Sequence, residues 1–169
     1  MTLKLQRWSQ VVAWAAFAST IPSALWRVLM IQGALPGTAE LRASYAGQHG
    51  YVWGLSIVQL LAGFATVGLA QPWGERIGRF TIPPWLPIVL GAIGGLIVTY
   101  LFTISLTVSL AMGQRPDAGL LQGGALLVMV LAYLPIFFWG PLVLAAVVGY
   151  AKRRLAPRAA AAHSSAESR

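Results

Sequence analysis

The sequence predicts an all-α, polytopic membrane protein: four transmembrane helices in a compact bundle, with both termini on the cytoplasmic side. Three observations predict it. Hydrophobic residues make up 57% of the 169 and charged residues only 9%, against about 25% charged in ordinary soluble domains. The chain divides into four apolar segments, each with the roughly 20 residues that a crossing requires. Basic residues are also sorted by side. With four crossings, Lys4, Arg7, Arg76, Arg79, Lys152, Arg153, Arg154, Arg158 and Arg169 share one face and only Arg42 and Arg115 take the other. Cytoplasmic loops carry such an excess.

The first span is predicted over Trp8 to Ile31. Ala16-Phe17-Ala18 has the small-x-small form of a signal cleavage site, but the apolar run continues well past it, so the span is read as uncleaved. Pro22 should kink it, with the freed carbonyl satisfied by Ser19, Ser23 or a neighbouring helix. The polar connection from Gly33 to His49 holds Pro36-Gly37 as a turn and a short amphipathic helix around Thr38 to Tyr45. The second span covers Tyr51 to Ala70. On it Gln59, Gly63 and Thr66, spaced i, i+4 and i+7, mark a packing face.

Gln71 to Pro83 places Trp73, Glu75, Arg76, Arg79 and Phe80 together, and aromatics beside arginines suit the headgroup region of a bilayer. The third span, Pro84 to Met112, aligns Gly91, Gly95, Thr99, Thr103 and Thr107 four residues apart on one ridge. Small residues at that spacing let helices approach closely, and the other spans are expected to pack around this one. Ser105 and Ser109 add a polar pair one face away. Gly113 to Ala118 is a tight turn around Arg115-Pro116-Asp117. The fourth span, Gly119 to Tyr150, exceeds a straight crossing and carries Pro135 and Pro141, so a broken or kinked helix is expected. Residues 1–151 then form the membrane domain, and 152–169 a disordered, basic, cytoplasmic tail.

Several chemistries are excluded. The chain has no cysteine and two histidines, His49 and His163, which removes thiolate nucleophiles, Cys-ligated metals and a bis-histidine haem. No metal or cofactor is expected. The charge of +8 does not indicate nucleic acid, because the basic residues sit at segment ends, where membrane topology places them. No span holds Asp, Glu, His or Lys, so a proton-coupled carboxylate relay has no seat.

Arg27 is the ionisable residue inside a span. It lies about 8 Å, at 1.5 Å per residue, from the span's outer end, so it either snorkels, pairs with Glu40 or Asp117, or binds an anionic headgroup. In the last case Arg27, Trp26, Glu40, His49, Thr103 and Thr107 would border a polar vestibule. Gly91, Gly95, Thr99, Gln59 and Gly63 serve helix packing. The function that suits this inventory is an accessory membrane protein that binds lipid or a small hydrophobic molecule. A membrane-embedded enzyme on a lipid or isoprenoid is the alternative, with Arg27 holding the head and His49 or Glu40 moving a proton. A small transporter or immunity protein for a hydrophobic compound is the third. Membrane lipids are the expected partners, and the many small residues also suit homo-oligomerisation or a membrane complex.

At Pro22-Ser23-Ala24-Leu25-Trp26-Arg27, Pro72-Trp73-Gly74-Glu75, Trp139-Gly140-Pro141-Leu142 and Tyr150-Ala151-Lys152-Arg153-Arg154, the chain resembles an uncharacterised family of small actinobacterial four-span integral membrane proteins. The loop from Arg76 to Pro83 is shorter here than in that group. The resemblance implies the fold and a bacterial inner-membrane location, and no activity.

Overall fold

The computed structural model describes the backbone of residues 2–74, 76–77 and 80–167, and the side chains of 7–71, 73–74 and 82–155. Glu75 and Arg79 of the expected interfacial loop lie outside the described residues, as do the side chains of Arg76, Phe80 and Arg158. The fold is helical. α1 is Thr2–Gln32, α2 Ala39–Ser44, α3 His49–Gly68, α4 Trp85–Val98, α5 Leu106–Ala111, α6 Gly123–Tyr133 and α7 Trp139–Glu167. A π-helical stretch, Thr99–Ser105, joins α4 to α5, and a 3-10 stretch, Leu134–Phe138, joins α6 to α7. Between α3 and α4 the backbone pairs Arg76 with Thr81 and Ile77 with Phe80, the one extended pairing among the described residues.

Four helical runs are long and apolar enough to cross a membrane: Arg7–Gln32, His49–Gly68, Trp85–Ala111 and Gly123–Leu155. They alternate in direction. One end of the bundle, the basic end, carries Arg7, the 69–84 connection and Lys152; the distal end carries the connections 33–48 and 112–122.

The third span is not the organising element. Only 6% of its most apolar window is buried, against 50% for the first span. The reason is the number of small faces each presents. The buried positions of α1 include Ser9, Ala13, Ala16, Thr20, Ser23 and Ala24, a band of small residues at helical spacing. It is wide enough for α3 on one side and α7 on the other. The third span has one small-residue ridge, and it docks on α7 and on the 3-10 stretch that precedes it. A methyl at Gly91 would come 2.6 Å from Val147 Cγ2, one at Gly95 2.7 Å from Leu144 Cδ2, and one at Gly140 2.6 Å from the Cα of Thr99. On α3, Gly63 likewise lies against Thr20 and Phe17 of α1.

The prolines act as the sequence implies in one place and differently in another. Pro141 cannot donate to the carbonyl four residues earlier, Phe137. That carbonyl instead accepts a bond from Thr103 Oγ1 across the helix pair, at 2.7 Å. In α1, Ser19 and Ser23 bond the carbonyls of Ala16 and Thr20, at 2.7 and 3.2 Å, and neither reaches Ala18, the carbonyl that Pro22 frees. α1 nonetheless runs unbroken from Thr2 to Gln32.

At the basic end, Arg153 donates to Ser9 Oγ and to the Leu69 carbonyl, which fastens α7 to α1 and to the last turn of α3. Trp73 folds back to stack on Phe64, with ring centroids 5.4 Å apart, and covers Gly68. Beyond Lys152 the backbone stays helical to Glu167, where composition suggests a disordered tail. The run is alanine-rich, and alanine is the strongest helix former.

Candidate functional site

The second span packs on the first and the third on the fourth. A cleft remains between α3 and the third span, and it widens into two cavities. The distal one, of about 660 Å³, is lined by the distal turns of α1 and α3, by α5 and α6, and by the 41–45 and 115–117 segments. Ligand sites are commonly this large and this apolar, with few polar groups.

The polar group at its wall is Arg27, 7% exposed. Its Nε donates to the Ser23 carbonyl at 3.3 Å, and Nη2 donates to Gln59 Oε1. Gln59, itself 4% exposed, donates through Nε2 to the Thr20 carbonyl and to Ser23 Oγ, both at 2.8 Å. One glutamine from α3 therefore closes a polar cluster buried between two apolar helices. Nη1 has no hydrogen-bond partner among the described residues and is not fully occluded, and Arg27 lines the cavity.

Among the described residues no carboxylate pairs with Arg27. The one ion pair among the described residues is Arg115 with Asp117. Glu40 is exposed, and it is absent from the cavity wall. Of the three charged side chains among the described residues at the wall, Arg115 and Asp117 cancel, so the cavity keeps one positive charge. Tyr133 stands beside it: Arg27 Cζ lies 6.0 Å from the ring centroid. Trp26 holds the other side of Tyr133 edge-on, with centroids 5.6 Å apart. The hydroxyls of Tyr45 and Tyr133 make no protein hydrogen bond and are not occluded. The Arg27 guanidinium and these hydroxyls thus line a cavity whose described wall supplies no unpaired carboxylate.

Asp117 builds the roof. Arg115 Nε and Nη2 reach its two oxygens at 3.0 and 2.7 Å, and the Leu121 amide donates to Oδ2 at 2.9 Å. Arg115 Nη2 also donates to the Leu121 carbonyl at 2.7 Å. Burial pushes the Asp117 carboxyl up, but the Leu121 amide and the Arg115 guanidinium outweigh it and hold the group below its ordinary value of 3.8. A depressed carboxyl contributes stability above its unfolded value and loses it as pH falls through the folded one. In thermal unfolding, the advantage of the parent over Asp117→Asn should be full at neutral pH and close below about pH 4. An advantage unchanged in acid contradicts this role for the carboxylate.

The sequence-derived vestibule is brought together only in part. Trp26 and Arg27 line the cavity. His49 and Glu40 are exposed and outside its wall, because α3 begins at His49 with that side chain turned away and α2 presents Leu41 inward. The proton-moving groups of the enzyme reading therefore do not meet Arg27. Thr103 is committed to the Phe137 carbonyl, and Thr107 donates to Thr103 O from an exposed position. Neither lines the cavity; Phe102, Leu106 and Leu110 of the same span do. Among the described residues, no three His, Asp or Glu side chains are grouped to hold a metal.

Scans against protein-family models, curated proteins and solved structures find no match for the chain. The site and the helix pattern define its class: a four-helix protein with spans long enough for a membrane and a singly charged, otherwise apolar cavity.

Proposed function

We propose that the chain is a multi-pass protein of a bacterial inner membrane, with both termini in the cytoplasm, and that its distal cavity binds an amphiphile with one negative charge. Four helical runs long and apolar enough to cross a membrane support that setting. The observation that carries the reading is Arg27, buried at the cavity wall with no carboxylate beside it among the described residues. A guanidinium held away from water is costly unless something compensates its charge. Gln59 supplies an acceptor but no charge. An anionic headgroup supplies both, and the apolar walls suit the chain attached to it. This makes the protein an accessory or lipid-binding component.

The basic residues support the orientation, since they gather at the end bearing Arg7 and Lys152. The absence of native cysteine makes a direct test clean. Single cysteines at Glu40 and Gln114 should react with an impermeant maleimide in intact cells, while those at Gln71 and Lys152 should react only after lysis. The opposite pattern contradicts the orientation. For the ligand, native mass spectrometry after gentle extraction should find anionic lipid or fatty acid retained in preference to zwitterionic lipid, and equal retention contradicts the reading.

A further inference from the structure

The second cavity, of about 410 Å³, lies in the same cleft nearer the basic end, between α3 and α4 and floored by Trp139 and Val143 of α7. Its described lining has no ionisable side chain. One pair of rings links the two linings. Phe102, on the π-helical stretch, lines the distal cavity, Trp139 lines the second, and the two rings touch with centroids 5.8 Å apart. Phe102 is only half-buried, and π-helical turns recur where helices are adapted for function.

We infer that the two cavities form one groove for a single long-chain, monoanionic amphiphile, with its head at Arg27 and its tail running past Phe102 into the second cavity. The inference rests on the reading of Arg27 as an anion site. Polarity fixes the direction of the chain. The distal cavity closes above Arg27 with the polar Arg115–Asp117 roof, whereas the cleft below it is apolar down to Trp73. An amphiphile held at Arg27 therefore points its tail toward the basic end, as a lipid of the distal leaflet would. Charge limits the head to one negative charge, because one cation at the wall lacks a partner. A carboxylate and a phosphodiester satisfy this equally; a phosphomonoester, closer to two charges, does not.

Gly94 gives the test. It lines the second cavity, and a Cβ added there meets nothing within 4 Å, so Gly94→Leu fills the groove without forcing the helices apart. Binding of n-alkyl carboxylates from octanoate to stearate would be measured by competition against a fluorescent fatty acid, on purified full-length protein in a neutral detergent. For the parent, affinity should rise by up to about fourfold per methylene buried through the longer members. For Gly94→Leu the short members should bind as before while the gain disappears for the long ones, and Phe102→Ala should increase it. A gain per methylene that Gly94→Leu leaves unchanged overturns the shared groove. Arg27→Leu reads the other half separately: loss across the whole series upholds the anion site, and unchanged binding at every length removes it whatever the tail does. Parallel binding of lysophosphatidylglycerol identifies a membrane phosphodiester as a ligand, and binding by the carboxylates alone identifies a free fatty acid; both uphold the groove.

Discussion

Replacing Gln59 by leucine lowers the stability of the bundle by about 3 kcal/mol, the largest stability loss expected of any single polar change in the spans. Gln59 fills its bonding capacity across the α1–α3 contact, accepting from Arg27 and donating to Thr20 O and Ser23 Oγ. Leucine keeps the volume and the apolar environment. It leaves the Arg27 Nη2 group without its acceptor inside a buried contact, and charged donors stranded in this way lose far more than neutral ones. A typical polar contact between membrane helices contributes less than 1 kcal/mol, about 0.6 on average, because the separated helices find other partners. Gln59 should exceed that average because Arg27 cannot turn elsewhere for an internal partner: Glu40 is exposed and Asp117 is taken by Arg115. Thermal unfolding in detergent measures the effect. A loss no larger than that of Ser56→Ala, which removes a hydroxyl bonded only within its own helix, contradicts the bridging role.

The legible part of this fold is what depends on one helix at a time. Span length, apolar content and the sorting of basic residues are properties of segments, and the four helices can be read from them. How spans pair depends on rotation and depth, which one sequence does not encode locally. The ridge of Gly91, Gly95 and Thr99 stands out because it is regular, but regular spacing says only that one close neighbour is tolerated. The band of α1 is less conspicuous, since Ser9, Ala13, Ala16 and Thr20 are spread among tryptophans and valines, yet it faces two partners. Proline carries more information than the position of a kink. Pro141 identifies the carbonyl of Phe137 as needing a donor, though nothing local says that the donor is Thr103.

The site divides in the same manner. Arg27 and Trp26 draw notice because a cation in an apolar run is rare. Gln59 reads as a packing residue, and its bond to Arg27 depends on how α1 and α3 are registered. Tyr133 sits in a run of aliphatic and aromatic residues with nothing to distinguish it from core. His49 and Glu40 looked suitable only because they are polar and near the right end of the chain. Both point away from the cavity.

Arg27 itself should govern ligand retention. Arg27→Leu removes the charge and every donor, and should reduce the anionic lipid carried through purification by tenfold or more, since a charge-assisted bond contributes about 1.5–3 kcal/mol. Arg27→Lys keeps the charge but replaces the planar fork with a single ammonium on a flexible stem. It should recover only part of the retention, because the ammonium loses the Nε and Nη2 bonds that fix the guanidinium at the cavity wall. Equal retention by all three proteins means the arginine acts in packing alone. Both substitutions also disturb the cluster around Gln59, so lost binding must be separated from lost structure.

Gln59→Glu makes that separation. The glutamate stands where the Arg27 guanidinium already has its acceptor and supplies the missing negative charge from inside the protein, at the expense of the bond to the Thr20 carbonyl. The variant should remain folded, with a melting temperature closer to the parent's than to that of Gln59→Leu. The cavity then carries no net charge. Native mass spectrometry of parent and Gln59→Glu, extracted side by side, should show anionic amphiphile bound to the parent and lost from the folded variant. If the folded Gln59→Glu protein keeps the same anionic ligand at the same occupancy, Arg27 does not hold it, and the account of the cavity as an anion site is contradicted.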